Sequence, residues 1–420
     1  MRITIVTPPF ARDRFSGGIW CVMQHAQQLA LRGHEVSVVP SHPCPLPAWL
    51  PRPWHFRLVS ETPAKAARAG LAGITRALAT GARLWLNRGR PPDAASQADT
   101  GRVREGAGRL GIALSNFSSY GVRQGGAIDH LARVLPAADL TLATDSETAW
   151  PVRLLGQGRL ACFAQHYEPY FWKERLGGEA SRRESELAYG PGLDLLANSP
   201  WLQQRLQATH PGRPVQLCPN AIDHQIFSGM PTVRTAGEPL RIISYGGRDA
   251  EWKGLREICE ALRRLKAQHP ALAFEWSVYG NALLPPDNPV FPYRPLGFLG
   301  PAALAQAYRA HHLLLSASWY ESFPLFPLEA MACGLATITT QPGTEAFAED
   351  GRTALVVEPK NPDSIASAVH RMAGDEPLRQ RIASQGRERS LEFTWERAGD
   401  AMEAALETIR RGAPTTGSAL

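Results

Sequence analysis

Apolar positions in the first forty residues alternate between the spacing of a strand and that of a helix. Residues 2–7 form a β-branched run, which predicts a strand. Residues 19–32 carry apolar side chains at helical spacing, and Gly33 ends that predicted helix. Another strand is predicted over residues 36–39. Apolar strands that alternate with helices indicate a parallel sheet covered on both faces.

The same alternation continues along the rest of the chain, in two series. In the first series, the predicted strands are residues 140–143, 160–164 and 193–197. In the second series, the predicted strands are residues 241–245, 274–279, 313–316 and 336–339. A helix is predicted over residues 254–267, and residues 376–410 are predicted as helical with a break near residues 393–394.

These two series predict an α/β protein with two Rossmann-like, doubly wound domains that face each other across a cleft. We place the N-terminal domain at residues 1–227, with an insertion at about 50–126, and a linker at 228–238. The second domain is expected at residues 239–393, and residues 394–420 are expected to form a helix that returns to the N-terminal domain. Ligands of such folds bind at the carboxyl ends of the strands.

Hydrophobic residues make up 44% of the chain and charged residues 20%, a composition that excludes wholesale disorder. The uninterrupted apolar runs are shorter than the roughly 18–20 residues of a membrane-spanning helix. The N-terminus reaches Pro8 and Pro9 too soon for the core of a signal peptide. We therefore expect a cytoplasmic protein.

The six cysteines include no close pair, which favours reduced core thiols over a zinc site or a disulfide framework. No Asp-x-Asp sequence is present to hold a nucleotide diphosphate through a metal. We expect neither a bound metal nor a cofactor.

Positive charge concentrates in residues 52–110, which hold 11 basic and 4 acidic side chains. This excess favours an anionic partner such as a membrane, a phosphate or a nucleic acid, and a solvated basic face accounts for it equally well. Within it, residues 63–88 place an apolar stripe beside a basic flank on a helical wheel. Such a helix would lie on an anionic membrane surface or pack on the first domain. Aromatic and basic residues are not interleaved, so we expect no nucleic acid.

The most specific motif runs from Glu321 to Gly334 and holds a second glutamate, Glu329. Glu321 falls in the turn after the predicted strand 313–316, and Glu329 falls inside the following helix. Both carboxylates could accept hydrogen bonds from hydroxyl groups in the cleft, and the apolar residues around them favour this over surface solvation. The start of the helix adds backbone N–H groups for anions or sugar oxygens.

Two further cations, Arg248 and Lys253, flank the turn after the predicted strand 241–245. A planar guanidinium and a mobile ammonium group suit two linked phosphates. Alternatively, the two residues are surface cations that cap a loop. Their position at the carboxyl end of a strand favours the phosphate-binding interpretation.

Gly17 and Gly18 precede the first helix, where glycine lets the backbone approach an anion closely, although such a pair also makes an ordinary turn. His166 directly follows the predicted strand 160–164. It could donate to a sugar hydroxyl or a phosphate, and a structural histidine is an equal alternative. The loop between the first predicted strand and the first helix has no Gly-x-Gly-x-x-Gly sequence, which argues against a nicotinamide enzyme.

Together, these motifs resemble the retaining nucleotide-sugar glycosyltransferases of glycosyltransferase family 4, which have the GT-B fold. The resemblance covers almost the full length of the chain. It is carried by Gly17-Gly18 with residues 32–36, by residues 219–223, by Arg248 with Lys253-Gly254, by residues 321–334, and by Gly343 with Glu345. Residues 166–171 and 197–201 further resemble bacterial surface-polysaccharide transferases, including rhamnosyltransferases.

The resemblance implies a metal-independent, retaining hexosyltransferase of polysaccharide or glycoconjugate synthesis, at work in the cytoplasm or at the inner face of the cell membrane. Its donor would be a nucleotide-diphosphate sugar, and its acceptor a saccharide or a lipid-linked molecule. By the same resemblance, Arg248 and Lys253 would bind the diphosphate and Glu329 the ribose. Glu321 would lie against the donor sugar, and His166 would line the reaction centre.

The resemblance also implies roles for backbone groups, and the sequence departs from the usual family pattern at several positions. The backbone around Phe323, Pro324 and Leu325 would contact the donor sugar, and Gly17-Gly18 would close over the phosphates. Pro324 stands where the family usually has glycine, so one amide donor is missing. Ala221 likewise replaces a usual glycine, and residues 50–126 have no clear counterpart in the family.

Two other functions fit the same architecture. A nucleotide-sugar epimerase would need additional acid and base groups, and the two glutamates with the two cations favour transfer. A catalytically silent nucleotide-sugar-binding protein is the other alternative, which Pro324 supports.

Overall fold

The structure, a computed structural model, describes residues 1–10, 15–46, 53–59, 119–172, 178–235, 237–246, 251–280 and 292–412. The chain forms two compact units. The first holds Met1–Asn198, Leu202–Cys218 and Gly399–Leu420, and the second holds Ser199–Trp201 and Pro219–Ala398.

The first unit is built on a seven-stranded sheet of parallel strands. Its strands are β1 (Arg2–Thr7), β2 (Glu35–Pro40), β3 (Arg57–Leu58), β4 (Leu140–Ala143), β5 (Arg159–Ala164), β6 (Asp194–Ala197) and β7 (Val215–Leu217). They lie in the order β3-β2-β1-β4-β5-β6-β7. The carboxyl ends of β1, β4 and β5 therefore meet at one edge of the sheet.

Helices connect these strands, as parallel pairing requires. Those described in the first unit are α1 (Gly17–Leu31), α2 (Ser119–Val134), α3 (Ser146–Leu155), α4 (Gly178–Ala188) and α5 (Pro200–Thr209), which begins at the boundary between the units. A 3₁₀ turn over Glu168–Trp172 follows β5. Met23 and Leu29 of α1 pack with Ile5 and Phe163 of the sheet in one buried apolar cluster.

The last helix, α11 (Trp395–Arg411), adds to that same cluster. Met402 and Leu406 are fully buried in it. At its edge, the imidazole of His34 and the carboxylate of Glu403 lie 2.8 Å apart, and Arg32 contacts Asp400 of the same helix. Residues 399–411 thus complete the core of the first unit.

The second unit is built on a six-stranded parallel sheet with the order β10-β9-β8-β11-β12-β13. Its strands are β8 (Leu240–Tyr245), β9 (Phe274–Tyr279), β10 (Arg294–Gly297), β11 (Leu313–Leu315), β12 (Ala336–Thr340) and β13 (Leu355–Val357). Its helices are α6 (Leu255–Gln268), α7 (Pro301–Arg309), α8 (Leu325–Ala332), α9 (Pro362–Gly374) and α10 (Glu376–Ser390). Two separate apolar clusters cover its faces, so the prediction of two doubly wound α/β sheets is confirmed.

The predicted elements match the structure within one or two residues. Strands 140–143 and 274–279 coincide with β4 and β9, and the predicted break near residues 393–394 lies in the gap between α10 and α11. Strands β3, β7, β10 and β13 were not predicted. Each has two to four residues, too few for a periodicity to be visible.

The boundary between the units differs from the predicted linker at 228–238. The chain passes from the first unit to the second between Cys218 and Pro219. The reason is that Ile222 and Phe227 are buried in an apolar cluster of the second unit, where the amide N–H of Ile222 donates to the carbonyl oxygen of Phe393 at 3.3 Å. The prediction had assigned residues up to 227 to the N-terminal domain.

Most of the predicted insertion at 50–126, including the amphipathic stretch at 63–88, lies outside the described residues. Within the described part of the chain, no helix is long and apolar enough to cross a membrane. All six cysteines are buried free thiols, which confirms the prediction made from their spacing.

Gly254 allows two loops of the second unit to approach each other closely. Gly254 lies between a 3₁₀ turn over Glu251–Lys253 and α6, with a φ of 70°. A Cβ atom at this position would lie 1.9 Å from the carbonyl oxygen of Ala317. The loops after β8 and after β11 can approach each other this closely only because residue 254 has no side chain.

We therefore expect Gly254→Ala to lower the free energy of unfolding by more than about 3 kcal/mol, through backbone strain and steric overlap together. Gly351→Ala is the matched control, because Gly351 has the same φ of 70° and no atom within 4 Å of its Cβ position. It should cost only the conformational strain, about 1–2 kcal/mol. Urea denaturation of both variants measures the difference, and equal losses would contradict the steric argument.

Candidate functional site

The second unit brings two predicted site residues together at one edge of its sheet. Strands β8 and β11 pair in parallel, so the loops that follow them emerge side by side. Lys253 lies in the loop after β8, and Glu321 lies in the loop between β11 and α8.

Lys253 and Glu321 form a shielded ion pair. The ammonium Nζ of Lys253 donates to Oε1 of Glu321 at 2.5 Å, and the hydroxyl of Ser318 donates to the same oxygen at 2.9 Å. The two charged side chains are only 16% and 11% exposed. Their attraction is therefore stronger than that of a surface pair, and removal of either partner would leave a buried charge.

The backbone of Glu321 is held against the loop after β12. Its amide N–H donates to the carbonyl oxygen of Pro342 at 3.2 Å. Gly343, with a φ of 105°, approaches so closely that a Cβ atom would lie 2.4 Å from the carbonyl oxygen of Glu321. The amide N–H of Gly343 in turn donates to Glu345 at 2.7 Å. The glutamate is thus fixed by main-chain contacts as well as by its ion pair.

Glu329 lies on α8 and is 9% exposed. Burial raises the pKa of its carboxyl group from 4.5 to about 8. Its Oε2 atom is buried and accepts no hydrogen bond from the described residues. A carboxyl group in this state can accept hydrogen bonds from the hydroxyl groups of a ligand.

The first turn of α8 has fewer donors than most helix starts. Pro324 is its N-cap residue and Pro327 is its third residue, and neither has a backbone N–H. Leu325 and Phe326 are therefore the two positions of this turn whose N–H groups have no intrahelical acceptor. Of residues 323–325, which were expected to contact the donor sugar through backbone amides, only Phe323 and Leu325 have an N–H group. The side chain of Phe323 is buried among aromatic rings.

Aromatic rings lie beside this helix start. The ring of Phe326 lies 4.2 Å from that of Tyr245, and Tyr279 contacts both. Lys253 Nζ lies 5.9 Å from the ring centroids of Tyr245 and Phe326. The ammonium group of the lysine therefore lies near both a carboxylate and two aromatic rings. Arg248, its predicted partner, lies outside the described residues.

The first unit holds the remaining predicted residues. Gly17 and Gly18 are the first residues of α1, and the hydroxyl of Ser16 caps that helix by accepting from the amide of Ile19 at 3.5 Å. A Cβ atom on Gly18 would meet only the side chain of Gln165, at 4.0 Å. The protein's own packing thus leaves room for a side chain at Gly18.

His166 follows β5 and is held on several sides. Its Nδ1 accepts from the amide N–H of Tyr167 at 3.0 Å, and its ring lies 4.3 Å from that of Phe171. Its carbonyl oxygen accepts from the hydroxyl of Tyr189 at 3.4 Å. These contacts fix the position of the imidazole at the carboxyl edge of the sheet.

One nearby acid was missed by the sequence analysis. Glu168 lies two positions after His166, and burial, with a contribution from Asp145, raises the pKa of its carboxyl group well above the ordinary range. Its buried Oε2 atom accepts no hydrogen bond from the described residues. The only signal in the sequence was its closeness to His166. Among the described residues, no group of three or more His, Cys, Asp or Glu side chains could hold a metal ion.

Known proteins resemble this chain in sequence and in fold. The sequence family described as "Glycosyl transferases group 1" matches residues 240–375, which contain Lys253, Glu321 and Glu329. The O-antigen biosynthesis protein RfbC of Myxococcus xanthus is 27% identical over 297 residues, which cover 68% of this chain and 21% of that protein. The chain thus spans only a small part of the length of that relative.

Two solved structures share the fold, which is the GT-B fold. Sucrose-phosphate synthase from Thermosynechococcus elongatus superimposes with a TM-score of 0.67 at 17% identity, covering 97% of this chain and 98% of that one. HepE of Anabaena in complex with UDP-glucose superimposes with a TM-score of 0.61 at 15% identity, covering 97% of this chain and 100% of that one.

The buried carboxyl group of Glu329 should make stability depend on pH. Because its pKa is raised in the folded state, its contribution to stability is complete below about pH 4.5 and is lost as the pH rises to about 8. Relative to Glu329→Gln, the wild-type free energy of unfolding should therefore fall by up to about 1.4 kcal/mol per pH unit in that range. Urea denaturation at pH 5.5, 6.5 and 7.5 measures this difference.

Glu388→Gln, which alters an exposed carboxylate of the same unit, is the control for general titration effects. Its difference from wild type should stay constant over the same range. A constant difference for Glu329→Gln as well would contradict the raised pKa.

Proposed function

We propose that the chain, whose residues 240–375 match the group 1 glycosyltransferases, is a retaining enzyme that transfers a hexose or deoxyhexose from a nucleotide-diphosphate sugar. The acceptor is a saccharide or a lipid-linked molecule of bacterial polysaccharide or glycoconjugate synthesis. The observation that carries this proposal is the shielded Lys253–Glu321 pair at the same sheet edge as the helix that holds buried Glu329.

The donor class is supported by the polar groups of the second unit. A diphosphate would draw Lys253 Nζ away from Glu321, and Arg248 would add a second cation. The N–H groups of Leu325 and Phe326 offer donors to an anion or to sugar oxygens at a helix start. The Oε2 atom of Glu329 would accept from the ribose hydroxyls. The UDP-glucose bound by HepE of Anabaena is a molecule of this class.

The chemistry that these groups support is departure of the diphosphate. Negative charge grows on the phosphate oxygens as the bond to the sugar breaks, and cations already in place stabilise this charge more in the transition state than in the ground state. Glu321, released by Lys253, would lie against the donor sugar as it gains positive charge. The departing phosphate would take the proton of the acceptor hydroxyl, which attacks the same face of the sugar.

The proposed class of acceptor is supported by residues of the first unit and by the amino-acid sequence. His166, fixed by its contacts at the edge of the first sheet, would line the reaction centre, and Gly17-Gly18 would approach the phosphates. The O-antigen assignment of the Myxococcus relative supports a polysaccharide product. The apolar and basic composition of residues 63–88 supports a lipid-linked acceptor at an anionic membrane surface, by sequence alone.

A labelled donor separates this function from the two alternatives. UDP-, GDP-, dTDP- and ADP-sugars are first screened by thermal shift, since a donor at 100 times its dissociation constant stabilises a protein by about 2.7 kcal/mol. The donor that binds is then incubated with and without acceptor extract. Transfer of label to the extract supports the proposal, an altered sugar without acceptor indicates an epimerase, and binding without turnover indicates a silent binding protein.

Lys253→Ala and Arg248→Ala should each lower kcat by about 100-fold to 1,000-fold at saturating donor, because each removes a cation that stabilises the leaving diphosphate. Lys266→Ala, which removes an exposed cation of the same unit, should leave kcat unchanged. Assays run well below the Tm of each variant separate this effect from loss of fold. Unchanged turnover in both variants would refute the diphosphate assignment.

The two glutamates should divide the work between binding and chemistry. Glu329→Gln should weaken binding of free nucleoside diphosphate by up to about 10-fold, the size expected when one hydrogen bond between uncharged groups is weakened. Glu321→Gln should leave that affinity undiminished, because it frees Lys253 for phosphate, and should instead lower kcat. Calorimetry measures the affinity of each variant for the free nucleoside diphosphate. Equal losses of affinity in both variants would contradict the separate roles of the two glutamates.

A further inference from the structure

Trp319 lies two residues before Glu321 in the loop between β11 and α8, and its indole is held at two points. The indole N–H donates to Oε1 of Glu257 on α6 at 2.8 Å. Its ring face receives the ammonium group of Lys360, with Nζ 3.6 Å from the ring centroid. A half-buried tryptophan with both its donor and its π face engaged has little freedom to turn.

The backbone of Trp319 makes a third contact, with the loop that carries Lys253. Its amide N–H donates to the carbonyl oxygen of Trp252 at 2.7 Å. Trp252 is the direct neighbour of Lys253, and Ser318, on the other side of Trp319, donates to Oε1 of Glu321. Trp319 thus connects the segment before the lysine with the segment before the glutamate.

Lys360 reaches the ring from an uncommon backbone conformation. It is the only non-glycine residue in the described part of the chain with a positive φ, at 60°. Such a conformation costs about 1 kcal/mol or more and persists where the surroundings fix it. The next residue, Asn361, is the cap of α9 and accepts from two amide N–H groups of that helix. The position of Lys360 over Trp319 is therefore set by the start of α9.

We propose that Trp319 is a positioning residue: through Trp252, Glu257 and Lys360 it sets the separation of Lys253 Nζ and Glu321. The inference rests on the proposed function, since it concerns the pair that would bind the diphosphate and face the donor sugar. The hydrogen bonds of Trp319 go to Trp252 and Glu257, and not to Lys253 or Glu321. Its effect would be transmitted by the two loops, and a misplacement of about 1 Å at such a pair can cost up to about 100-fold in rate.

Trp319→Phe tests this directly, because it keeps a ring beneath Lys360 and removes only the N–H that Glu257 accepts. We expect kcat to fall about 10-fold, with the KM for the donor changed less than about threefold. Trp276→Phe is the matched control, since the indole of Trp276 also donates one hydrogen bond, to Ser244 at 3.1 Å, within the core of the same unit. It should lower Tm at least as much and leave kcat unchanged.

Variants of Glu257 show whether Trp319 acts through this contact. Glu257→Gln keeps an acceptor oxygen for the indole and should retain activity, whereas Glu257→Leu should lower kcat as Trp319→Phe does. If the two residues act as one connection, the double variant Trp319→Phe/Glu257→Leu is no slower than either single variant. Additive losses in the double variant, or equal activity of the Gln and Leu variants, would overturn the proposal.

A crystal structure of Trp319→Phe provides a result that does not depend on turnover. The Lys253 Nζ to Glu321 Oε1 distance, 2.5 Å in the wild type, should exceed hydrogen-bond range or divide between two conformers. An unchanged distance together with an unchanged kcat refutes the positioning role. A wild-type protein that transfers no sugar refutes the proposed function instead, and the distance in the variant still decides whether Trp319 positions the pair.

Discussion

Parallel pairing of β8 with β11 is the constraint on which the site of the second unit depends. Parallel strands end at the same edge of a sheet, so the loops after them are neighbours although many residues separate them in the chain. Lys253 and Glu321 meet for this reason. Gly254 then permits the close approach of the two loops, because no side chain stands between residue 254 and the carbonyl oxygen of Ala317.

The polar groups at this edge differ in how their charge is balanced. Lys253 neutralises Glu321 within a mostly buried pair, so neither carries an uncompensated charge. Glu329 has no such partner among the described residues, and burial favours its protonated form. A diphosphate ligand would compete with Glu321 for the ammonium group of Lys253 and would so leave the Glu321 carboxylate without its counter-ion. Under the proposed function, donor binding and the state of Glu321 would therefore be coupled through the ammonium group of Lys253.

The core of the first unit includes side chains from a helix that follows the second unit in the sequence. Helix α11 places Met402 and Leu406 among the side chains of α1 and the sheet, and Arg32 and His34 contact acids of that helix. Residues 32–36 contributed to the family resemblance in the sequence. In the structure, two of them contact α11, so their role in the described contacts is structural.

The amino-acid sequence is enough to predict most strands, several helices and the charged residues of the candidate site. Period-two and period-3.6 patterns predicted most strands, and helices α1, α6, α10 and α11, to within one or two residues, because each pattern reflects which side chains face the core. The motif from Glu321 to Gly334 identified both glutamates. Local patterns do not contain the features that depend on tertiary structure: the short strands, the boundary at Cys218, the pairing of Lys253 with Glu321, the buried Oε2 atom of Glu168, and the contacts of Trp319. Each of these depends on residues distant in the chain, and only packing brings such residues together.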